Sequence, residues 1–138
     1  MSSSKQKSDS GSAKAAGAID FDALMQANVA RVFSERDSAR RRAALNELYA
    51  EDAVLYDPEA VAVGREEISE AVAKLLSGLP PDFVFTAVGH AVGHNGAGRL
   101  FWRVGPPDGR VATTGTDVVQ IEGGRIKRIY VFVDPAPR

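Results

Sequence analysis

The chain contains no cysteine, and Trp102 is its single tryptophan. The first absence excludes disulfides, thiolate zinc sites and a cysteine nucleophile, while saying little about compartment, because many exported proteins also lack cysteine. Charge of one sign is missing too. With 17 basic and 18 acidic residues the formal net charge is -1, which argues against nucleic acid or an anionic membrane surface as the main partner and leaves a small molecule or a protein. No apolar run approaches the ~18 residues of a membrane span. The longest strong one, Ile129 to Val133, has the length of a strand. Histidine is scarce: His90 and His94 are the two present. On a strand, four residues cover about 13 Å, too far to share one ion without a severe bend. No metal site is expected, and His90 remains only as a ligand contact.

At 138 residues the chain has room for one domain. Residues 1–18, MSSSKQKSDSGSAKAAGA, lack the apolar segment of a secretory signal and read as a disordered tail. Residues 19–138 form the domain, large enough to bury about two-thirds of its unfolded surface without staples. A cytoplasmic protein of bacterial type is the default expectation. Arg40, Arg41 and Arg42 are the densest basic run, but consecutive helical residues fan about 100° apart and cannot make one patch, so they are expected to be a solvated helix face.

Apolar spacing at Phe21, Leu24, Met25, Val29, Val32 and Phe33 predicts a first helix capped by Asp20 or Asp22. A second helix runs from about Ser38 to Ala50, with Leu45, Leu48 and Tyr49 as its apolar stripe. Ala53 to Tyr56 is a short strand that Pro58 ends, and the proline biases Asp57 toward an extended conformation. A loop with Gly64 leads to a third helix, Arg65 to Leu76, stopped by Gly78 and Pro80. From Asp82 onward the period changes to two. The segments Phe83 to Val92, Leu100 to Val104, Val111 to Ile121 and Ile126 to Val133 are separated by HNGAG, GPPDG and GG turns. Helices gathered before an antiparallel meander mean α+β, with a curved sheet wrapped over the helices and a cavity at its open end. Gly89 and Gly93 are expected to supply bulges that curve the sheet.

Two acids stand out against this pattern. Asp57 closes the first strand, and Asp117 interrupts an apolar alternation in which Val119 and Ile121 share its face, so it points inward. Two carboxyls facing one apolar cavity are the raw material of proton transfer. The structural alternatives are definite. Asp57 can cap backbone donors of its own turn, and Asp117 can be a buried carboxylate satisfied by Thr113, Arg103 or a backbone donor. Trp102 shares a face with Leu100 and Val104, suited to core or interface, while Tyr56 points to the side of its strand opposite Asp57. On the last strand Tyr130 and Phe132 oppose Ile129, Val131 and Val133, and two apolar faces mean that both are covered.

The order of helix, helix, short strand ending in Asp-Pro, helix and four-strand meander resembles the nuclear transport factor 2-like superfamily, and within it the SnoaL-like and ketosteroid-isomerase-like members. The residues that carry the likeness are AEDAVLYDP from Ala50 to Pro58, Gly64-Arg65, and GTDVVQIEGGRI from Gly115 to Ile126. The resemblance implies a cone-shaped fold with three N-terminal helices on a curved antiparallel sheet, enclosing an apolar pocket. It also implies a homodimer formed through the sheet, with no cofactor. Asp57 falls where the ketosteroid isomerases keep their general base, and Asp117 where they keep a protonated acid in the oxyanion hole. The tyrosine that completes that hole has no counterpart, since Val32 or Phe33 stands at its place. Losing one oxyanion donor costs about 10²–10³ in rate, which disfavours steroid isomerisation while leaving slower proton transfer open. The limonene-epoxide-hydrolase branch is disfavoured as well, because its last-strand acid would fall at Val131. Proton transfer next to a carbonyl of a hydrophobic polyketide- or terpenoid-like molecule is the implied activity, as isomerase, cyclase or dehydratase. Phe33, Tyr56, His90, Trp102, Val119 and Val131 are the expected ligand contacts. The alternative is a non-catalytic ligand-binding or dimeric scaffold protein.

Overall fold

The computed structural model describes residues 18–136; the expected tail lies almost wholly outside them. Asp20 caps the first helix by accepting from the amide of Ala23 at 2.9 Å, and α1 runs Phe21–Asn28. It does not stop there but widens into a π-helical turn, Val29–Phe33. Asp37 caps α2, Ser38–Leu48, through the amide of Arg40. Strand β1 then covers Tyr49–Tyr56 and β2 covers Val61–Val63. Helix α3 is Arg65–Ser77. Four long strands complete the chain: β3 Val84–His94, β4 Ala97–Gly105, β5 Thr113–Glu122 and β6 Arg125–Val133.

The six strands form one unclosed sheet in the order β2-β1-β6-β5-β4-β3. The meander from β3 to β6 is antiparallel throughout, as the turn residues require. Asn95 and Gly96 both have positive φ and join β3 to β4 directly; Gly123 and Gly124 do the same for β5 and β6. Strand β1 adds to β6 in parallel, a pairing that no hairpin dictates. Its register slips between Tyr49 and Val54, leaving Glu51 and Asp52 exposed. That slip is why the strand signal starts only at Ala53 while the strand itself begins at Tyr49, where α2 has already ended. Strand β2, three residues long, lies in a stretch expected to be loop; it gains strand geometry only by pairing with β1.

One face of the sheet packs on the helices. Leu100, Val119, Ile121, Ile126 and Ile129 meet Met25, Val29, Val32, Leu45, Ile68 and Val72 in a single buried core. Gly93 and Gly98 pair across β3 and β4, and the Phe21 ring lies where a Cβ at either would sit. Gly93 is thus a packing glycine rather than a bulge residue. The register break of β3 lies between Val88 and Val92, around Gly89 with φ 74°. Arg41 also departs from expectation. It is buried, donating to Ser69 Oγ at 3.1 Å, the Glu35 carbonyl at 2.7 Å and Ser38 Oγ at 3.3 Å, so it ties α2 to α3. Positions 41, 44, 45 and 48 recur at helical spacing, and the stripe carries Arg41 inward. Its neighbours behave as a solvated face would, Arg40 pairing with Glu35 and Arg42 with Glu66. Among the described residues no helix is long and apolar enough to cross a membrane.

Candidate active site

The helices do not cover the whole concave face. Toward the Phe33 end they leave a cavity of about 330 Å³. Val29 and Phe33 wall it from the π-helical turn, Ala71, Val72 and Leu75 from α3, and Phe85, Trp102, Val131 and Val133 from the sheet. Leu55, Asp57, Pro58 and Glu59 form its rim at the end of β1. Against this apolar lining stand three carboxyls, those of Asp57, Glu59 and Asp117.

Alternation along β1 turns Leu55 and Asp57 to the same side, and Pro58 ends the strand there. Asp57 is half-buried. Its Oδ1 accepts from the amides of Glu59 at 2.7 Å and Ala60 at 2.8 Å, while its own amide donates to the Ala60 carbonyl. The turn-capping role foreseen for Asp57 is therefore real, and it coexists with a place in the cavity wall. Among the described residues no hydrogen bond falls on Oδ2. Two amides thus fix the carboxylate through one oxygen and leave the other without a hydrogen bond among the described residues.

Asp117 sits deeper and is 4% exposed. Burial pushes its carboxyl up to about 7, and the hydrogen bond from Trp102 Nε1 to Oδ1, at 3.0 Å, partly opposes that rise. Neither Thr113 nor Arg103 is its partner. Arg103 follows Trp102 on β4 and so faces the other side of the sheet. Trp102 has room to lie across β5 because its register partner is Gly115, where a Cβ would collide with the indole. The indole also meets Phe85 edge-on at 5.3 Å, and Phe85 meets Phe33 at 6.2 Å. Trp102 is therefore both cavity wall and positioning donor.

Of the expected ligand contacts, Phe33, Trp102 and Val131 line the cavity beside Asp57 and Asp117. Tyr56, His90 and Val119 do not. Tyr56 stacks on Tyr130 at 4.7 Å on the opposite face. Val119 is inward but sealed, since its partner Gly98 lies under Phe21 at the closed end. The His90 side chain is 87% exposed and pairs with Asp22 at 3.0 Å; Val84, Val88 and Val92, with which it was expected to share a face, are on the outer side of the sheet and exposed as well. His94 bonds Asn95. Sequence reasoning missed the contribution of Ala71, Val72 and Leu75, whose helical spacing gives burial but not which end of the stripe meets empty space. It also missed Phe85 and Glu59. The Asp57-Pro58-Glu59 order was the available signal for the latter.

Residues 28–129 match the SnoaL-like domain, and the chain belongs to that family. Among solved structures it is similar to a proposed isomerase of the SnoaL-like family from Agrobacterium tumefaciens, at 30% identity over 82% of this chain and 96% of that one, with a TM-score of 0.75. A proposed polyketide cyclase from Sinorhizobium meliloti shares 21% identity over 79% and 93% of the two chains, with a TM-score of 0.61. A proposed ketosteroid isomerase from Kribbella flavida shares 18% over 86% and 80%, with a TM-score of 0.64. These last two likenesses concern the fold. No curated protein matches the chain.

Proposed function

We propose that this chain is a SnoaL-like enzyme that transfers protons next to a carbonyl in a hydrophobic, polyketide- or terpenoid-like substrate. One observation carries the reading: Asp57 and Asp117 are carboxyls of the same apolar cavity, and the buried one is pushed up to about 7. Asp57 is the base. It takes a proton from the carbon beside the carbonyl, and the C–H electron pair moves toward the carbonyl oxygen to make an enolate. Asp117, protonated, donates a hydrogen bond to that oxygen, with its other oxygen held by Trp102. Return of the proton to another carbon is isomerisation, attack of the enolate carbon on a second carbonyl is cyclisation, and loss of a β-hydroxyl as water is dehydration. None of these steps consumes a cofactor. The names carried by the similar structures, isomerase and polyketide cyclase, support the same class.

A second copy of the chain on the outer face of the sheet belongs to this reading, in a cytoplasmic homodimer. Val88, Phe101 and Phe132 fall in one row across β3, β4, β5 and β6, with Phe101 45% and Phe132 55% exposed. A patch of large apolar side chains on a sheet face is the usual mark of an association surface. Non-catalytic ligand binding is the second reading, favoured by the two amide hydrogen bonds that already occupy Asp57 Oδ1.

The discriminating measurement is a carboxyl-carbon NMR titration of the full chain, assigned with Asp57→Asn and Asp117→Asn, in the presence and absence of substituted phenols as enolate mimics. The proton-transfer reading expects Asp117 to titrate near neutrality and both carboxyls to respond to the phenol. If neither responds, the protein is a binding or scaffold member of its family.

A further inference from the structure

The cavity carries acidic groups and nothing of opposite sign. Asp57, Glu59 and Asp117 are its ionisable lining residues, and no lysine, arginine or histidine lines it. Each of the three keeps an oxygen free for a ligand. Asp57 Oδ2 has no hydrogen bond among the described residues, and Glu59 engages its turn through the backbone amide while its carboxylate has neither a hydrogen bond nor an ion pair there. Asp117 Oδ2 has no hydrogen bond among them either, although the residue is only 4% exposed. Asn28 Nδ2 is the one fully buried side-chain nitrogen or oxygen among the described residues that lacks a partner. Asp117 Oδ2 is therefore not sealed, and its remaining surface belongs to the cavity that the residue lines. A buried carboxyl oxygen left open in this way is a place for a ligand atom.

The rim that holds the other two acids is rigid. Asp57 Oδ1 takes the amides of Glu59 and Ala60, the Asp57 amide returns a hydrogen bond to the Ala60 carbonyl at 3.0 Å, and Pro58 restricts the backbone between them. Glu59 is exposed, so an ion pair formed there strips little water from either partner. Inside the rim, Phe33, Phe85 and Trp102 meet edge to face and make an aromatic wall suited to an apolar body. A mouth of one sign above walls of low dielectric concentrates ligands of the opposite sign and repels those of its own. Carboxylate- or phosphate-bearing molecules find no counter-charge in this lining. The proposed chemistry sharpens the imbalance, because an enolate is one more negative charge in a site without a cation.

We propose that the substrate carries a protonated amino group, that Glu59 is the specificity-determining residue that holds it at the rim, and that the apolar, carbonyl-bearing part of the molecule fills the cavity. This rests on the proton-transfer reading and names the substrate class for it. Asp57 remains the base and Asp117 the donor to the carbonyl oxygen. The substrate ammonium donates to the Glu59 carboxylate and supplies the positive charge that the lining lacks as the enolate forms.

Trp102 is the single tryptophan and stands in the cavity wall, so its emission reports occupancy of the cavity. The full chain is titrated at neutral pH and low salt with 4-phenylbutylamine, 4-phenylbutanol and 4-phenylbutanoate, which share one body and differ in the charge of one end. The amine is expected to bind about tenfold more tightly than the alcohol, and the carboxylate about tenfold more weakly. Glu59→Gln should cut the affinity for the amine by about fivefold, and added salt should narrow the gap between amine and alcohol. An amine that binds no more tightly than the alcohol, an amine preference that Glu59→Gln leaves intact, or a Trp102 emission that none of the three ligands moves would each overturn the inference. The glutamine variant keeps the backbone amide that the turn uses; should it nevertheless fail to fold, the charge series on the native chain decides alone. None of these failures touches the proton-transfer reading, which is judged by the response of the two aspartate carboxyl carbons to phenols. Silent carboxyls together with a Glu59-dependent preference for the amine would overturn that reading and keep the amine site.

Discussion

Replacing Asp117 with asparagine keeps the shape of the side chain and an oxygen for the Trp102 indole, but removes the ability to ionise. The consequence for stability is worked from burial. The carboxyl moves from 3.8 to about 7 in the fold, and at about 1.4 kcal/mol per pH unit, ionising it there costs on the order of 4 kcal/mol more than in the unfolded chain. The sign follows from proton counting. Below pH 3.8 both states hold the proton and Asp117 contributes no pH dependence. Between there and about 7 the folded state keeps a proton that the unfolded chain has released, so native stability falls as pH rises. Above 7 both states are ionised and the loss is complete. Asparagine titrates in neither state. Urea unfolding of the native chain and Asp117→Asn across pH 5 to 9 should therefore show the variant gaining relative stability as pH rises and levelling off above neutrality, with a change of about 3 kcal/mol over that range, the remainder of the effect lying below pH 5. A difference between the two that is equal at pH 5 and pH 9 would refute the buried, neutral acid and remove its role as a donor at neutral pH.

Three further outcomes follow from contacts elsewhere in the fold. Gly115→Ala places a Cβ against the Trp102 indole, which must swing off Asp117; a loss of about 1–3 kcal/mol is expected, with a shift in the emission of this single tryptophan. Arg41→Ala breaks the hydrogen bonds of this buried side chain to Ser69 on α3, to the Glu35 carbonyl and to Ser38 of its own helix, and leaves a void, costing about 2–4 kcal/mol in a urea midpoint measurement at constant m. Asp22 is lowered to about 2, first by the Ala91 amide and then by His90 and Gln26, so it stabilises the fold above pH 3.8 and loses that contribution as pH falls through about 2; in Asp22→Asn the acid-unfolding curve should be flatter across this window.

Two carboxyls at one cavity give the family assignment chemical content, but the roles divide by environment. Asp57 is held at the rim by backbone amides, at the end of a strand, with proline preventing that strand from continuing. Asp117 is held in the wall by an indole and kept from water. A solvated base and a neutral acid are the combination that the proposed enolisation needs, and alternation on two strands with one glycine opposite the tryptophan sets the two carboxyls at one cavity.

Local chemistry was enough for much of this protein. Period-two alternation and paired glycines place β3 to β6 and their hairpins, helical spacing and Asp20 and Asp37 place the helices, and parity along β5 turns Asp117 inward, because each of these depends on neighbours within a few residues. What depends on distant partners was not legible. The parallel pairing of β1 with β6, the short β2, and the sealing of Val119 under Phe21 are decided by which surfaces remain unpaired once the sheet has curved. His90 was expected to share a face with Val84, Val88 and Val92, and that face proved to be the outer, exposed one, which only the placing of the helices on the other side decides. Arg41 went inward because its helical stripe was committed by Ala44, Leu45 and Leu48, and burial could be met by Ser69 on another helix. The unpaired amide of Asn28 belongs to the same category: a polar residue on an apolar helix face declares its partner, or the lack of one, only when the facing strand and Tyr49 are in place.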